Sequence, residues 1–470
     1  MPNPERQVVV PVPTELRATR EEWMHRVATD EIPSLAIGVL CDGKTIWEEA
    51  IGWADREQRR PATPQTLYPI ASVSKAITAT GVGALAGDGR LPLSRRLGDV
   101  LESADMDTGL CDVTVEHLLG HTSGVPHLWH YEYLDREETM ADRECLIAEH
   151  AFVAFAPGAH LLYSNLAYGC LAQVIEQVVG KPFQRAMETT VLQPLGMDAT
   201  TVEAWVGGNE GARGYDEDGC PIAYPYRLAS DGGAGFFSNV NDLLRFSRFH
   251  LGVDVGDASL GHAAINRIPD VRGSEAFYVN GWGIVRLAGS SVLLSDGQIA
   301  GGTAIVVLIP ERGLGVVALC NATGGPAAEA AVGVLAALER GFGEEFTAAV
   351  ESIEARLSEL PEAPKGSLQG VVEDGPERIE VAADFRDSER PLIRVGQSEH
   401  SLRAICGDRG AYQATIEGSL FADRGKERPH RLLLSLWPDG DSWVGVVQED
   451  LFADRPLSGI PHRITLYPAT

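Results

Sequence analysis

Ser72 and Lys75 stand three apart in Tyr68-Pro69-Ile70-Ala71-Ser72-Val73-Ser74-Lys75, where a polar break gives way to a helical apolar pattern. At the start of a helix, positions three apart share one face, about one turn from each other. That geometry suits a hydroxyl nucleophile and the amine that takes its proton. A helix N-terminus also presents unpaired N–H groups to any oxyanion forming there. The plainer reading of the same residues is a surface helix with Ser72 as its cap. A second polar cluster, Tyr163-Ser164-Asn165, lies at another loop-to-helix junction. A lysine ammonium favours a nearby phenolate, so Tyr163 could share the Ser72 proton with Lys75, and Asn165 could hold both the lysine and a substrate carbonyl. Taken alone, that cluster reads equally as a helix cap.

The elements around these residues follow from periodicity. Thr14 to Asp30 reads as an amphipathic helix, and Ser34 to Leu40 as a strand. Asp42-Gly43 is a hairpin turn, with Lys44 to Trp53 returning. Val113 to Pro126 ends a helix at a Ser-Gly turn, and residues 127 to 160 form an irregular, aromatic-rich segment. Leu161 to Val179 is helical, and the glycine-rich turn Ser230–Asn239 precedes a helix from Val240 to Leu251, capped by Asn239 or Ser238. Val292 to Ser295, Thr303 to Ile309 and Gly315 to Leu319 read as strands, followed by an alanine-rich helix from Pro326 to Arg340. From Gly366 onward, short alternating runs separated by Gly-rich turns predict a small all-β domain. The expected division is therefore 1–342, a linker at 343–365, and 366–470.

Composition narrows the possible partners. A chain of 470 residues with formal net charge −27 has enough length for a large core. Its charge argues against nucleic acid and anionic membrane surfaces as partners and does not name a substrate; a small-molecule or peptide substrate is expected. Lysine occurs only at positions 44, 75, 181, 365 and 426, so Lys75 is not one of many. No signal peptide or membrane span is read, and seven scattered cysteines fit reduced thiols, so a cytoplasmic location is expected. Neither a cofactor nor a metal is expected, and the oligomeric state is not legible.

The order of motifs is more specific than any one of them. Ile32–Val39, Ser72-Val73-Ser74-Lys75, Leu118–Gly124, Tyr163-Ser164-Asn165, Pro194–Met197, the glycine-rich turn before Asp242, and Gly313–Asn321 follow one another in this sequence. In that order the chain resembles the serine hydrolases of the class C β-lactamase and D-peptidase superfamily, over about residues 20 to 340. The resemblance implies an α/β (α+β) fold: a five-stranded antiparallel sheet flanked by helices, plus a helical subdomain, with the active site between them. The trailing β domain resembles the lipocalin-like module that some members carry. Ser72 is then the nucleophile, Lys75 and Tyr163 the proton carriers, and Asn165 a substrate-binding residue. The family's third motif, a Lys or His followed by a small residue and Gly, aligns with Ser295-Asp296-Gly297. The N–H groups of Ser72 and Gln298 would then form the oxyanion hole.

The cation of that motif is missing here, and in relatives it meets a substrate carboxylate. Ser295, Asp296 and Gly297 are thus expected to bind a substrate without an essential carboxylate. Arg227 is an alternative source of the charge. The reading is a serine hydrolase cleaving an ester or amide through an acyl-enzyme on Ser72, of esterase or D-aminopeptidase type. An acyltransferase or peptide-cyclising enzyme would use the same acyl-enzyme, and a catalytically inactive binding protein would keep only the fold. Three further candidates have plainer readings. His117 and His121 are spaced for a metal on one helix face, yet His121 belongs to the His-Thr-Ser-Gly turn. Cys170 reads as buried packing, and Asp216–Gly219 as a solvated turn and not a calcium loop.

Overall fold

The computed structural model describes residues 8–10, 12–101, 108–134, 143–209, 211–253 and 278–357. Toward the C-terminus it describes 366–374, 377–386, 391–395, 398–404, 412–417, 430–439, 441–452 and 456–468. The chain forms two compact units, each discontinuous in sequence. One comprises Met1–Pro92, Tyr133–Met140 and Leu171–Val350; the other comprises Leu93–Glu132, Ala141–Cys170 and Glu351–Thr470. The strands beyond residue 366 therefore share a unit with the chain around Tyr163. Residues Phe342–Leu357, at the expected linker, are a helix.

The first unit is built on an antiparallel sheet. Its order is Val8–Val10, Lys44–Asp55, Ser34–Cys41, Leu314–Cys320, Gly302–Ile309, Ser290–Ile299, Trp282–Leu287 and Tyr278–Val279. The five central strands are the expected five; the short strands at either edge are additions. The residues of Ser34–Leu40, Gly302–Ile309 and Leu314–Cys320 are buried throughout, which requires cover on both faces. The helix Val240–His250 packs on one face, and the helices Arg17–Ala28 and Ala327–Leu338 on the other. Gly38 permits the first of these contacts, since a Cβ there would lie 2.6 Å from Val240 Cγ1. The hairpin turn is as expected: Asp42 and Gly43 both take positive φ, 49° and 73°.

In the second unit the C-terminal strands form one sheet, ordered Ser398–Ser401, Leu392–Val395, Glu377–Asp384, Ser367–Asp374, Pro456–Pro468, Ser442–Phe452, His430–Asp439, Tyr412–Glu417 and Arg403–Ala404. The first and last of these are joined through Leu402 alone, so the sheet curls round on itself as an all-β half-barrel. Leu368, Val372, Phe385, Leu434, Leu436 and Trp443 fill its interior.

The helix Val240–His250 starts where the sequence indicates. Asn239 is its cap, with the side chain accepting the Asp242 N–H at 2.9 Å. Asn239→Ala should remove about 1 kcal/mol. A melting curve should show a fall of about 1–2 °C.

Candidate active site

Ser72 occupies a short 3-10 turn, Ala71–Val73, that leads into the helix Ser74–Gly87. It is not a helix cap: Val73 precedes the helix and makes no side-chain cap bond. Ala71 carries a φ of 44°, unusual for a residue with a Cβ, immediately before the serine. Such a conformation persists only when its surroundings over-determine it, and here two segments do so.

The first is the glycine-rich turn. Ile70 N–H donates to Phe236 O at 3.1 Å, and Phe236 N–H donates to Ser74 Oγ at 3.1 Å. Thr78 Oγ1–H donates to Gly232 O at 2.7 Å. Lys75 Nζ lies 2.7 Å from Gly233 O and 3.1 Å from Ser72 Oγ. The sequence suggested a turn at these glycines, and the structure makes Gly233 O a partner of the lysine. The second segment is the strand Ser290–Ile299. A Cβ on Gly297 would come within 2.3 Å of Ile70 O and 2.8 Å of Ser72 N. The strand backbone therefore lies directly against the Ser72 N–H, and only glycine permits the approach.

Lys75 is fully buried. Burial pushes its amine well below the ordinary lysine value, while the Asp296 carboxylate pulls in the opposite direction. The amine is thus biased toward the neutral form. It can donate one N–H to Gly233 O and keep a lone pair for the Ser72 proton. Along the third-motif strand, Ser295 is buried, Asp296 exposed, Gly297 buried and Gln298 exposed. Pleating puts Ser295 on the side of the Gly297 Cα that faces the serine turn. Arg227 lies on the strand Tyr226–Leu228, half-buried.

Tyr163 and Asn165 belong to the second unit, with the helix Asn165–Val179 beginning at the asparagine. Ser164 Oγ accepts the Ala167 N–H at 2.9 Å and donates to Pro126 O at 2.7 Å. His121 Nδ1 accepts the Ser164 N–H at 3.2 Å, and His127 Nδ1 accepts the Asn165 N–H at 3.2 Å. The Tyr163 ring centroid lies 4.5 Å from that of His121 and 5.8 Å from that of His127. The two imidazoles thus hold the tyrosine loop, a role the sequence did not disclose beyond the His-Thr-Ser-Gly turn itself. His117 and His121 do not share a helix face. The helix ends at Leu119, His121 has a φ of 55°, and His117 Nδ1 accepts the Thr114 N–H in a capping box. Cys170 is buried, its thiol pushed up to about 12 by desolvation. Asp216 Oδ1 accepts the N–H groups of Asp218 and Cys220 at 3.0 and 2.8 Å, which accounts for that turn without calcium.

The family profile described as Beta-lactamase matches residues 22–339, more than half of the chain, and the chain belongs to that family. It is 30% identical over 217 residues to a β-lactamase of Pseudomonas fluorescens, a match covering 46% of this chain and 59% of that one. It is 35% identical over 173 residues to esterase EstB of Burkholderia gladioli, covering 33% of this chain and 43% of the esterase. The chain thus spans less than two thirds of the length of these relatives. Among solved structures, the octameric penicillin-binding protein homologue from Pyrococcus abyssi superposes with a TM-score of 0.57 at 20% identity, over 95% of this chain and 99% of that one. That likeness establishes the fold across both units. Among the described residues, no helix is long and apolar enough to cross a membrane.

Two predictions follow from the lysine and the glycine. Between the lowered folded-state value of Lys75 and the ordinary 10.5, the unfolded chain holds a proton that the folded chain does not. Stability must rise with pH through that window, by up to about 1.4 kcal/mol per pH unit, and level off above it. Denaturant midpoints of the wild type and Lys75→Met across pH 6 to 10.5 should show this slope in the wild type alone. Gly297→Ala places a methyl against Ile70 O and displaces the serine turn. Its kcat/KM should fall by about 10²-fold, and its melting temperature should fall as well, because the methyl meets backbone.

Proposed function

We propose that the chain is a serine hydrolase that forms an acyl-enzyme on Ser72 with ester or amide substrates lacking an essential carboxylate. The observation that carries this reading is the buried Lys75 amine 3.1 Å from Ser72 Oγ, in a site whose third-motif position is a serine. As Ser72 Oγ bonds to the substrate carbonyl carbon, its proton moves to the Lys75 lone pair. The carbonyl π pair becomes an oxyanion. Collapse of that adduct expels the alcohol or amine, which takes the proton back. Water then repeats the sequence on the acyl-enzyme and releases the acid. The family resemblance assigns Tyr163 to the same proton traffic and Asn165 to the substrate carbonyl. The N–H groups of Ser72 and Gln298 are assigned to the oxyanion, and the approach of Gly297 to Ser72 N supports this.

The missing cation supports an uncharged substrate. A serine at position 295 offers a neutral hydrogen bond where a charge-assisted one would stand, a loss of about 1–2 kcal/mol toward a carboxylate. The exposed Asp296 carboxylate, whose field reaches Lys75, adds repulsion. The esterase among the relatives points the same way.

Ser72→Ala should abolish turnover of a p-nitrophenyl ester and leave no covalent adduct after fluorophosphonate treatment, read by mass spectrometry. Turnover at the wild-type rate would refute the nucleophile. For one substrate offered as methyl ester and as free acid, kcat/KM should favour the ester by at least about tenfold, since each 1.4 kcal/mol is a factor of ten. Ser295→His should raise activity on the acid specifically. Preference of the wild type for the acid would overturn the substrate class.

A further inference from the structure

The half-barrel has a second apolar face. Leu434, Leu436, Trp443 and Val447 point into its own core. The alternate residues Trp437, Val444 and Val446 point outward and are equally buried, because they cluster with Ala154 and Phe155. Leu162, the residue before Tyr163, packs on the same cluster. The Phe155 ring lies edge-on to Trp437 at 5.2 Å and to His160 at 5.0 Å. His160 Nε2 is 3.2 Å from Pro438 O, to which it donates when that nitrogen carries the proton. Further along, strand Pro456–Pro468 loses its neighbour Ser367–Asp374 beyond the pair Val372–Ile464. The edge it leaves pairs Gly459 with Trp129 and Ser458 with His130.

Residues 151–164 contain no helix or strand of their own. Their course is set by side-chain packing and a few hydrogen bonds, and on one side what they pack against is the half-barrel. Leu162 N–H also donates to His121 O at 2.7 Å, and the imidazole of His121 lies against Tyr163. The tyrosine is therefore located by two fixed surfaces, the His-Thr-Ser-Gly turn and the outer face of the half-barrel.

We propose that the half-barrel is a positioning element for acyl transfer, with Trp437 and Leu162 as the positioning residues that set the place of the Tyr163 hydroxyl. This rests on the reading that Tyr163 carries a proton in that reaction. A displacement of about 1 Å in a reacting group is enough to cost about 10²-fold in rate, so a packing contact one residue away has leverage on turnover.

A double-mutant cycle on the full-length chain tests it, with a p-nitrophenyl ester as the probe. Leu162→Ala and Trp437→Ala should each lower kcat about tenfold with KM within about twofold, as loss of a transition-state interaction requires. In a Tyr163→Phe background, where the hydroxyl to be positioned is gone, the same changes should cost less than about twofold. Trp437→Phe, which keeps a ring against Phe155, should recover most of the loss. Full additivity with Tyr163→Phe, or a change confined to KM, would overturn the proposal. If Trp437→Ala does not fold, Leu162→Ala at its half-buried site decides the cycle alone. The underlying reading fails separately: wild-type ester turnover by Tyr163→Phe alone would remove the proton role of Tyr163, whatever Leu162→Ala and Trp437→Ala do in the wild-type background.

Discussion

The structure around Ser72 depends on one buried amine. A lysine taken fully out of water loses the hydration that favours its charged form, and burial pushes the Lys75 amine well below the ordinary lysine value. Every neighbouring element has to make room for that. Gly233 O accepts a hydrogen bond from the amine, Thr78 and Ser74 tie the same glycine-rich turn to the helix Ser74–Gly87, and Ile70 closes the loop on Phe236. Within the turn itself, a Cβ on Gly235 would sit 2.6 Å from Asp231 Cα, so that position has to be glycine.

The sheet supplies the other constraint. Strand Ser290–Ile299 pairs with Gly302–Ile309 along most of its length, but its other neighbour, Trp282–Leu287, reaches only as far as Leu294. Residues 295–298 therefore lie beyond that pairing, where Gly297 meets the serine turn. Ending the neighbouring strand early leaves the backbone of residues 295–298 outside that ladder. The Asn280-Gly281 turn at that end packs on the helix Ser74–Gly87, since a Cβ at Gly281 would lie 2.6 Å from Ala76 Cα. Sheet edge, serine turn and helix are thus fixed relative to one another by two glycine contacts.

Much of this was legible in the residues, and for identifiable reasons. Ser72 and Lys75 are close in sequence, so helical geometry alone relates them. The central strands announce themselves by β-branched runs, and the Asp42-Gly43 turn by residues that tolerate positive φ. What escaped reading depends on long-range contact. The 3-10 turn at Ser72 replaces a helix start because segments some 160 and 225 residues away press on it, as the Phe236 and Gly297 contacts show. The roles of His121 and His127 were hidden because an imidazole taking a backbone N–H leaves no pattern in sequence. The expected separation of a C-terminal domain followed from the change of periodicity after residue 366, which reports local structure and is silent on what packs against it.

One signal of that packing was nonetheless present. A strand covered on one side alternates apolar and polar residues, but Leu434 to Trp437 and Trp443 to Val447 are apolar on both sides, with Ser435 and Gly445 as the exceptions. Two adjacent strands with that composition need cover on their outer face as well as a core within. The cover is the irregular segment before Tyr163, rich in Phe, Ala and Leu, which has no regular structure of its own to bury those side chains against. Each thus satisfies what the other lacks. The half-barrel gains a lid over Trp437, and the loop gains the fixed surface that a chain without ladder hydrogen bonds needs in order to hold one conformation.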